Sequence, residues 1–159
     1  MFLHLKEGRT TLFNKKRHEN YKTSVDFHDA NLLGLNLEGL DLSEANLRDA
    51  NLERTSLRYT NLYGVSLMGA NLCNANLSHA ALKYANMEEA KIVKSNLEYA
   101  YLDRADLQYA DLTNSSLKYS SISCADLRET ILTGTDLYEV FDLPISQEDV
   151  KSRGAISDR

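Results

Sequence analysis

Any chemistry in this chain would have to come from four histidines, two cysteines and a set of carboxylates. His4, His18, His28 and His79 share no local spacing with cysteines or acids that would set them around a metal ion. Cys73 and Cys124 lie 51 residues apart and make no disulfide framework. There is no GxSxG elbow and no Gly-rich phosphate loop. Neighbouring acids such as Glu88 and Glu89 occur, but a carboxylate pair becomes acid and base only where burial or a partner shifts its pKa values. The pattern around these acids is polar. It therefore argues against an enzyme, with no catalytic residue, metal or cofactor expected. What remains is surface chemistry, in which acidic and aromatic side chains recur at a fixed interval. The elements that would position them follow from the rest of the chain.

The chain has 159 residues, 43% of them hydrophobic and 26% charged, with seven glycines, one proline and no tryptophan. That is one domain with enough apolar side chains for a sizeable core. The net charge of −5 gives no reason to expect direct binding to nucleic acid or to an anionic membrane. No apolar run approaches the roughly 18 residues of a membrane span. The segment Met1-Phe2-Leu3-His4-Leu5-Lys6-Glu7 lacks a basic n-region and a long apolar stretch, so a cytoplasmic protein is expected.

From Val25 to Glu139 the sequence repeats every five residues without insertion or deletion, giving 23 units. Typical units are ANLRD (45–49), ANLER (50–54), ADLQY (105–109) and ADLRE (125–129). The third residue is Leu in 19 units and Phe27, Met87, Ile92 or Ile122 in the others. The first residue is Ala in 12 units, Ser or Thr in seven, and otherwise Val25, Val65, Leu35 or Leu40. The second is Asn or Asp in 15. A period of five smears over every face of an α-helix, and on a flat strand it flips from face to face. The pattern survives only if the chain turns a corner in every unit and coils around one narrow, filled interior.

The motif A(D/N)LXX resembles the pentapeptide-repeat family, and here it covers 115 residues. Uninterrupted Leu-centred arrays are similar to the bacterial branch of that family that is abundant in cyanobacteria. The resemblance implies an all-β fold, a right-handed quadrilateral parallel β-helix with four units per coil. Just under six coils at about 4.8 Å per layer would make a rod roughly 28 Å long. The implied domains are a capping segment at 1–24, the array at 25–139 and a cap or tail at 140–159.

With four sides, residues 20 apart stack in columns. The face containing units 25–29, 45–49, 65–69, 85–89, 105–109 and 125–129 carries Asp26, Asp29, Asp49, Glu88, Glu89, Asp106, Asp126 and Glu129 against Arg48 and Arg128, a net of −6. Asp26, Asp49, Glu88, Glu89, Asp106, Asp126 and Glu129 form the candidate interaction surface. On the third face, Tyr59, His79, Tyr99 and Tyr119 share one column, with rings expected about 5 Å apart. Beside them, Glu38 with Arg58 and Glu98 with Lys118 should pair across coils. The column is read first as a ladder stiffening the wall and second as an aromatic recognition strip. Leu33, Met68, Cys73, Val93 and Ile131 form a looser apolar set on the first two faces.

The ends should be covered, since an open coil edge pairs with other chains. Residues 5–21 partly resemble a leader found before many bacterial arrays, with Phe13 in the place of its first Trp, Lys16 in the place of its second and Tyr21 in the place of its Pro. A short helix is expected over about residues 9–19, with Leu5, Leu12 and Phe13 over the first coil and Leu35 and Leu40 filling space beneath. Ser146, Glu148 and Asp149 before Gly154 predict a second helix at about 147–153. A homodimer through one terminus is compatible with the resemblance.

Two functions follow. The first is a rigid, non-enzymatic scaffold that presents a flat wall to a protein partner. The second, implied by the family, is a DNA-mimicking protein that binds or protects a type II topoisomerase such as gyrase. A duplex of about 28 Å carries roughly 16 phosphates, well beyond the −6 of the acidic face, and the array lacks the projecting loops of the quinolone-resistance members. The scaffold reading is preferred.

Overall fold

A computed structural model describes residues 10–19 and 25–157. Two helices, α1 (Thr10–Glu19) and α2 (Gln147–Ser152), flank the array. Between them runs a ladder of parallel bridges, each joining residue i to residue i+20, from Asp26–Asn46 to Asp136–Ile156. Twenty residues are four units, so the coil has four sides. The described residues form isolated bridges and no extended strand, which refines the expected all-β, parallel β-helix. A five-residue unit gives two residues to its turn, and of the other three only the second is the bridge residue, with the carbonyl of the first and the N–H of the third completing the bridge's hydrogen bonds.

The turn explains the residue choice. The carbonyl of each third residue accepts the N–H three positions on, as in Phe27 O with Ala30 N at 3.0 Å. All 23 fifth residues have positive φ, between 52° and 68°, and only five of them are glycine. A positive φ at the third residue of a four-residue turn is the requirement of type II. No fifth residue is Val, Ile or Thr, because a β-branched side chain clashes in this conformation. Lys94 (φ 57°) is exposed and its N–H donates to Thr113 O at 2.9 Å. Lys94→Val is therefore expected to cost about 1–2 kcal/mol, while Lys94→Gly costs nothing or stabilises. Urea midpoints measure both, and a Val variant as stable as the parent would remove this account of the turn.

The second residue locks the same turn. In all 15 units where it is Asn or Asp, its Oδ1 accepts the backbone N–H two residues later, at 2.8–3.3 Å. A short side chain with a carbonyl or carboxylate oxygen suits this local bond.

First and third residues face inward. All 23 third residues are between 0 and 7% exposed. Four of the seven hydroxyls in the small slots bond to the coil before, as Thr60 Oγ1 does with Leu37 O (3.0 Å) and Ser95 Oγ with Leu72 O (2.6 Å). Thr55 Oγ1 bonds Leu52 O in its own turn, and the buried Ser115 and Ser120 hydroxyls have no partner among the described residues. Backbone N–H and C=O groups pair between coils, for example Leu77 N with Asn96 O at 2.7 Å.

α1 lies on the first coil with Phe13 fully buried and Leu12 half-buried. Leu40 is buried and Leu35 is partly buried against the core. The Arg17 guanidinium donates to Ser43 O at 2.6 Å and is itself buried. Arg17 thus faces the coil, while the neighbouring Lys15, Lys16 and His18 are exposed. Leu5 lies outside the described residues.

At the other end the ladder continues past Glu139. Phe141 bridges to Ser121, and after α2 the chain returns so that Ile156 bridges to Asp136. Ser146 caps α2 by accepting from Asp149 N at 3.1 Å, and Gly154 (φ 70°) ends it. Arg153 donates to Leu127 O at 2.7 Å, covering part of the last coil. No helix of the described residues is long and apolar enough to cross a membrane.

Candidate interaction surfaces

The acidic face divides into two kinds of carboxylate. Those at second positions are tied into the wall. Asp26 accepts from His28 N (3.1 Å) and Asn46 Nδ2 (3.0 Å), and Asp106 accepts from Gln108 N (3.0 Å). Asp126 is held by Arg128, whose Nε and Nη2 donate to it at 2.9 and 2.5 Å. These hydrogen bonds keep the Asp126 carboxyl below its ordinary pKa, so it stays ionised to lower pH. Carboxylates at fourth and fifth positions project instead. Asp49, Glu89 and Glu129 are exposed and Glu88 is half-buried, and among the described residues none of the four is in an ion pair with Lys or Arg.

On the third face the rings of Tyr59, His79, Tyr99 and Tyr119 stack at 4.7, 4.9 and 5.0 Å, with interplanar angles of 13°, 3° and 15°. Tyr138 closes the row edge-on to Tyr119 at 5.9 Å. The coil rise fixes this spacing, and offset stacking is favourable there. Lys118 pairs with Glu98 (3.9 Å) and more closely with Asp136 (3.1 Å). Glu38 and Arg58 do not pair. Arg58 turns to Ser78 Oγ at 3.3 Å and lies 5.2 Å from the Tyr59 ring centroid, where the aromatic face attracts a cation.

The fourth face holds aromatic residues that columns of like residues did not reveal. Tyr63, Tyr84, Tyr101 and Phe141 are 43–58% exposed. Tyr63 and Tyr84 meet edge to face at 5.4 Å, and Arg104 and Lys83 approach the Tyr84 ring at 5.7 Å. They occupy second, fourth and fifth positions, so no single column shows them. Of the looser apolar set, Leu33 and Ile131 are exposed, while Met68, Cys73 and Val93 are half-buried. Cys73 and Cys124 are free thiols.

The stacking also brings together residues that local spacing kept apart. His28, Asp29 and Asp49 meet in the first two coils. Asp49 is 20 positions after Asp29, a separation at which a local metal motif is invisible. Two surface depressions beside α2, one lined by Pro144, Ile145, Ser146 and Glu148 and the other by Glu129, Thr130, Ile131 and Arg153, hold no histidine or cysteine.

Fold and surface together define a solenoid with chemically distinct walls. The family model described as "Pentapeptide repeats (8 copies)" matches in overlapping stretches that span residues 23–134. The chain belongs to the pentapeptide repeat family, which is generally a non-catalytic repeat scaffold. Among solved structures, a pentapeptide repeat protein from the cyanobacterium Cyanothece 51142 is 26% identical, with 93% of this chain and 99% of that chain covered and a TM-score of 0.50. That similarity implies a right-handed β-helix solenoid. A pentapeptide repeat protein of the Arabidopsis thaliana thylakoid lumen is 24% identical over 74% of this chain and 72% of that chain, with a TM-score of 0.37. QnrB1, a plasmid-mediated fluoroquinolone resistance protein, is 20% identical over 84% of this chain and 80% of that chain, with a TM-score of 0.44. The sequence matches no curated protein.

Proposed function

We propose that the array is a rigid cytoplasmic scaffold whose acidic wall binds a protein partner with a basic surface. The supporting observation is the set of projecting carboxylates, Glu88, Glu89 and Glu129, without ion-pair partners among the described residues. A wall built from coils pinned on both sides meets a partner with little ordering cost, because its side chains project from fixed turns. Opposed charge then sets approach rate and partner choice.

Glu88→Lys/Glu89→Lys tests this reading. It changes the face from −6 to −2. Lysine already occupies a fifth position at Lys94 with φ 57°, so the turn accepts it at 89. Partner recovery from a lysate of the source cells should fall about tenfold, and rising salt should weaken the parent's binding in the same way. Unchanged recovery at an unchanged melting temperature would leave the wall with no binding role. Salt-sensitive inhibition or protection of gyrase in a supercoiling assay would replace the scaffold reading with topoisomerase binding.

A further inference from the structure

The donor atoms of His28, Asp29 and Asp49 lie within 4.8 Å of one another, and all three residues are exposed. His28 is oriented from behind, with its Nδ1 3.1 Å from the carbonyl oxygen of Arg48 in the next coil. A carbonyl only accepts, so Nδ1 carries the proton, and in neutral imidazole Nε2 then presents a lone pair. Nε2 faces Asp29 Oδ2 at 3.1 Å. Two acceptors at that distance repel unless a cation joins them, either a second ring proton or a metal ion. Asp49 brings a second carboxylate to the same point, one step up the column from Asp29. A single proton offsets one of these two charges, whereas a divalent ion offsets both.

The next step of that column is Gly69, where a Cβ would collide with Asp49 Oδ1. The glycine therefore leaves the Asp49 carboxylate room to sit where it does. The bond from Nδ1 to a backbone carbonyl is the outer contact that fixes the tautomer of metal-binding histidines.

We propose that His28, Asp29 and Asp49 form a binding site for a divalent transition-metal ion of the zinc class, with water in the remaining positions. One imidazole and two carboxylates match zinc's nitrogen and oxygen preferences. Bonds of about 2.1 Å place tetrahedral donors about 3.4 Å apart, and small rotations of exposed side chains close the present gap. The site lies at the α1 end of the acidic face, so occupancy would lower that face's negative charge locally.

Isothermal titration of the metal-free, untagged full chain with zinc chloride tests the proposal, repeated on His28→Ala, Asp49→Asn and His79→Ala. One equivalent should bind to the parent and to His79→Ala, with binding about tenfold or more weaker in the other two. Zinc should raise the melting temperature of the parent but not of Asp49→Asn. Asp49→Asn keeps the side-chain shape, and a parent-like circular dichroism spectrum excludes misfolding as the cause of a loss. No binding up to millimolar zinc would overturn the proposal. Equal binding by all four proteins would overturn it as well, by placing the ion elsewhere.

Discussion

Leu77→Ala is expected to lower the unfolding free energy by about 2–5 kcal/mol, and Ala75→Leu, two residues away, to be comparably damaging. Leu77 is fully buried and Ala75 is 2% exposed. The first change opens a cavity in an interior one side chain wide, where neighbouring coils hold their own leucines in fixed columns. The second forces a large side chain into a slot sized for a methyl group. Backbone movement cannot relieve it readily, because the coil is tied from both sides. Ala75 O accepts Asn96 N at 3.0 Å, and the next residue, Asn76, donates its N–H to Thr55 O at 2.9 Å. Leucine does occupy first positions at Leu35 and Leu40, but only in the first coil, beside Gly39 and Asp41, which Asn14 of α1 contacts. Thermal unfolding measures both variants, with each kcal/mol worth roughly 2–4 °C at this chain length. If both melted within a degree or two of the parent, the inward direction of first and third residues would be wrong.

The array is legible in the sequence because one geometric demand recurs 23 times. Inward pairs such as Ala75 and Leu77 face a single axis, and corner residues such as Lys94 avoid β-branching. Stacking of residues 20 apart follows once four sides are taken from the family resemblance, and it yields the Tyr59–His79–Tyr99–Tyr119 row directly. Four features were hidden for physical reasons. The exposed fourth-face rings sit at different positions within their units. The Ile156 bridge is made after α2 interrupts the frame, so no periodicity points to it. Arg17 belongs to a basic helical run, and only docking shows that its guanidinium serves a backbone carbonyl. The meeting of His28 with Asp49 likewise needs the coil pitch as well as the motif.

Phe13→Ala is expected to release α1 from the first coil, at a cost of about 3–5 kcal/mol in docking, and to cause concentration-dependent self-association. Two polar side chains of α1 substitute for the coil that would come before. Within the stack, Tyr63 O accepts Glu44 N at 2.7 Å; one coil earlier, Ser43 O accepts the Arg17 guanidinium instead. Asn61 N donates to Leu40 O at 2.9 Å; one coil earlier, Asp41 N donates to Asn14 Oδ1 at 2.8 Å, while Asn14 Nδ2 donates to Gly39 O at 2.9 Å. These contacts close the edge only while Phe13 holds the helix in place, since a typical hydrogen bond contributes only about 1 kcal/mol net. Without Phe13, the N–H of Asp41 and the carbonyls of Gly39 and Ser43 face water beside an uncovered Leu40. That is the template on which another coil end can stack. Static light scattering of the full chain should then show an apparent mass that rises with concentration more steeply than the parent's. Lys15→Ala, on the exposed side of α1, should leave the mass unchanged. A Phe13→Ala protein with the parent's mass and melting temperature would show that the first coil is stable without its cap.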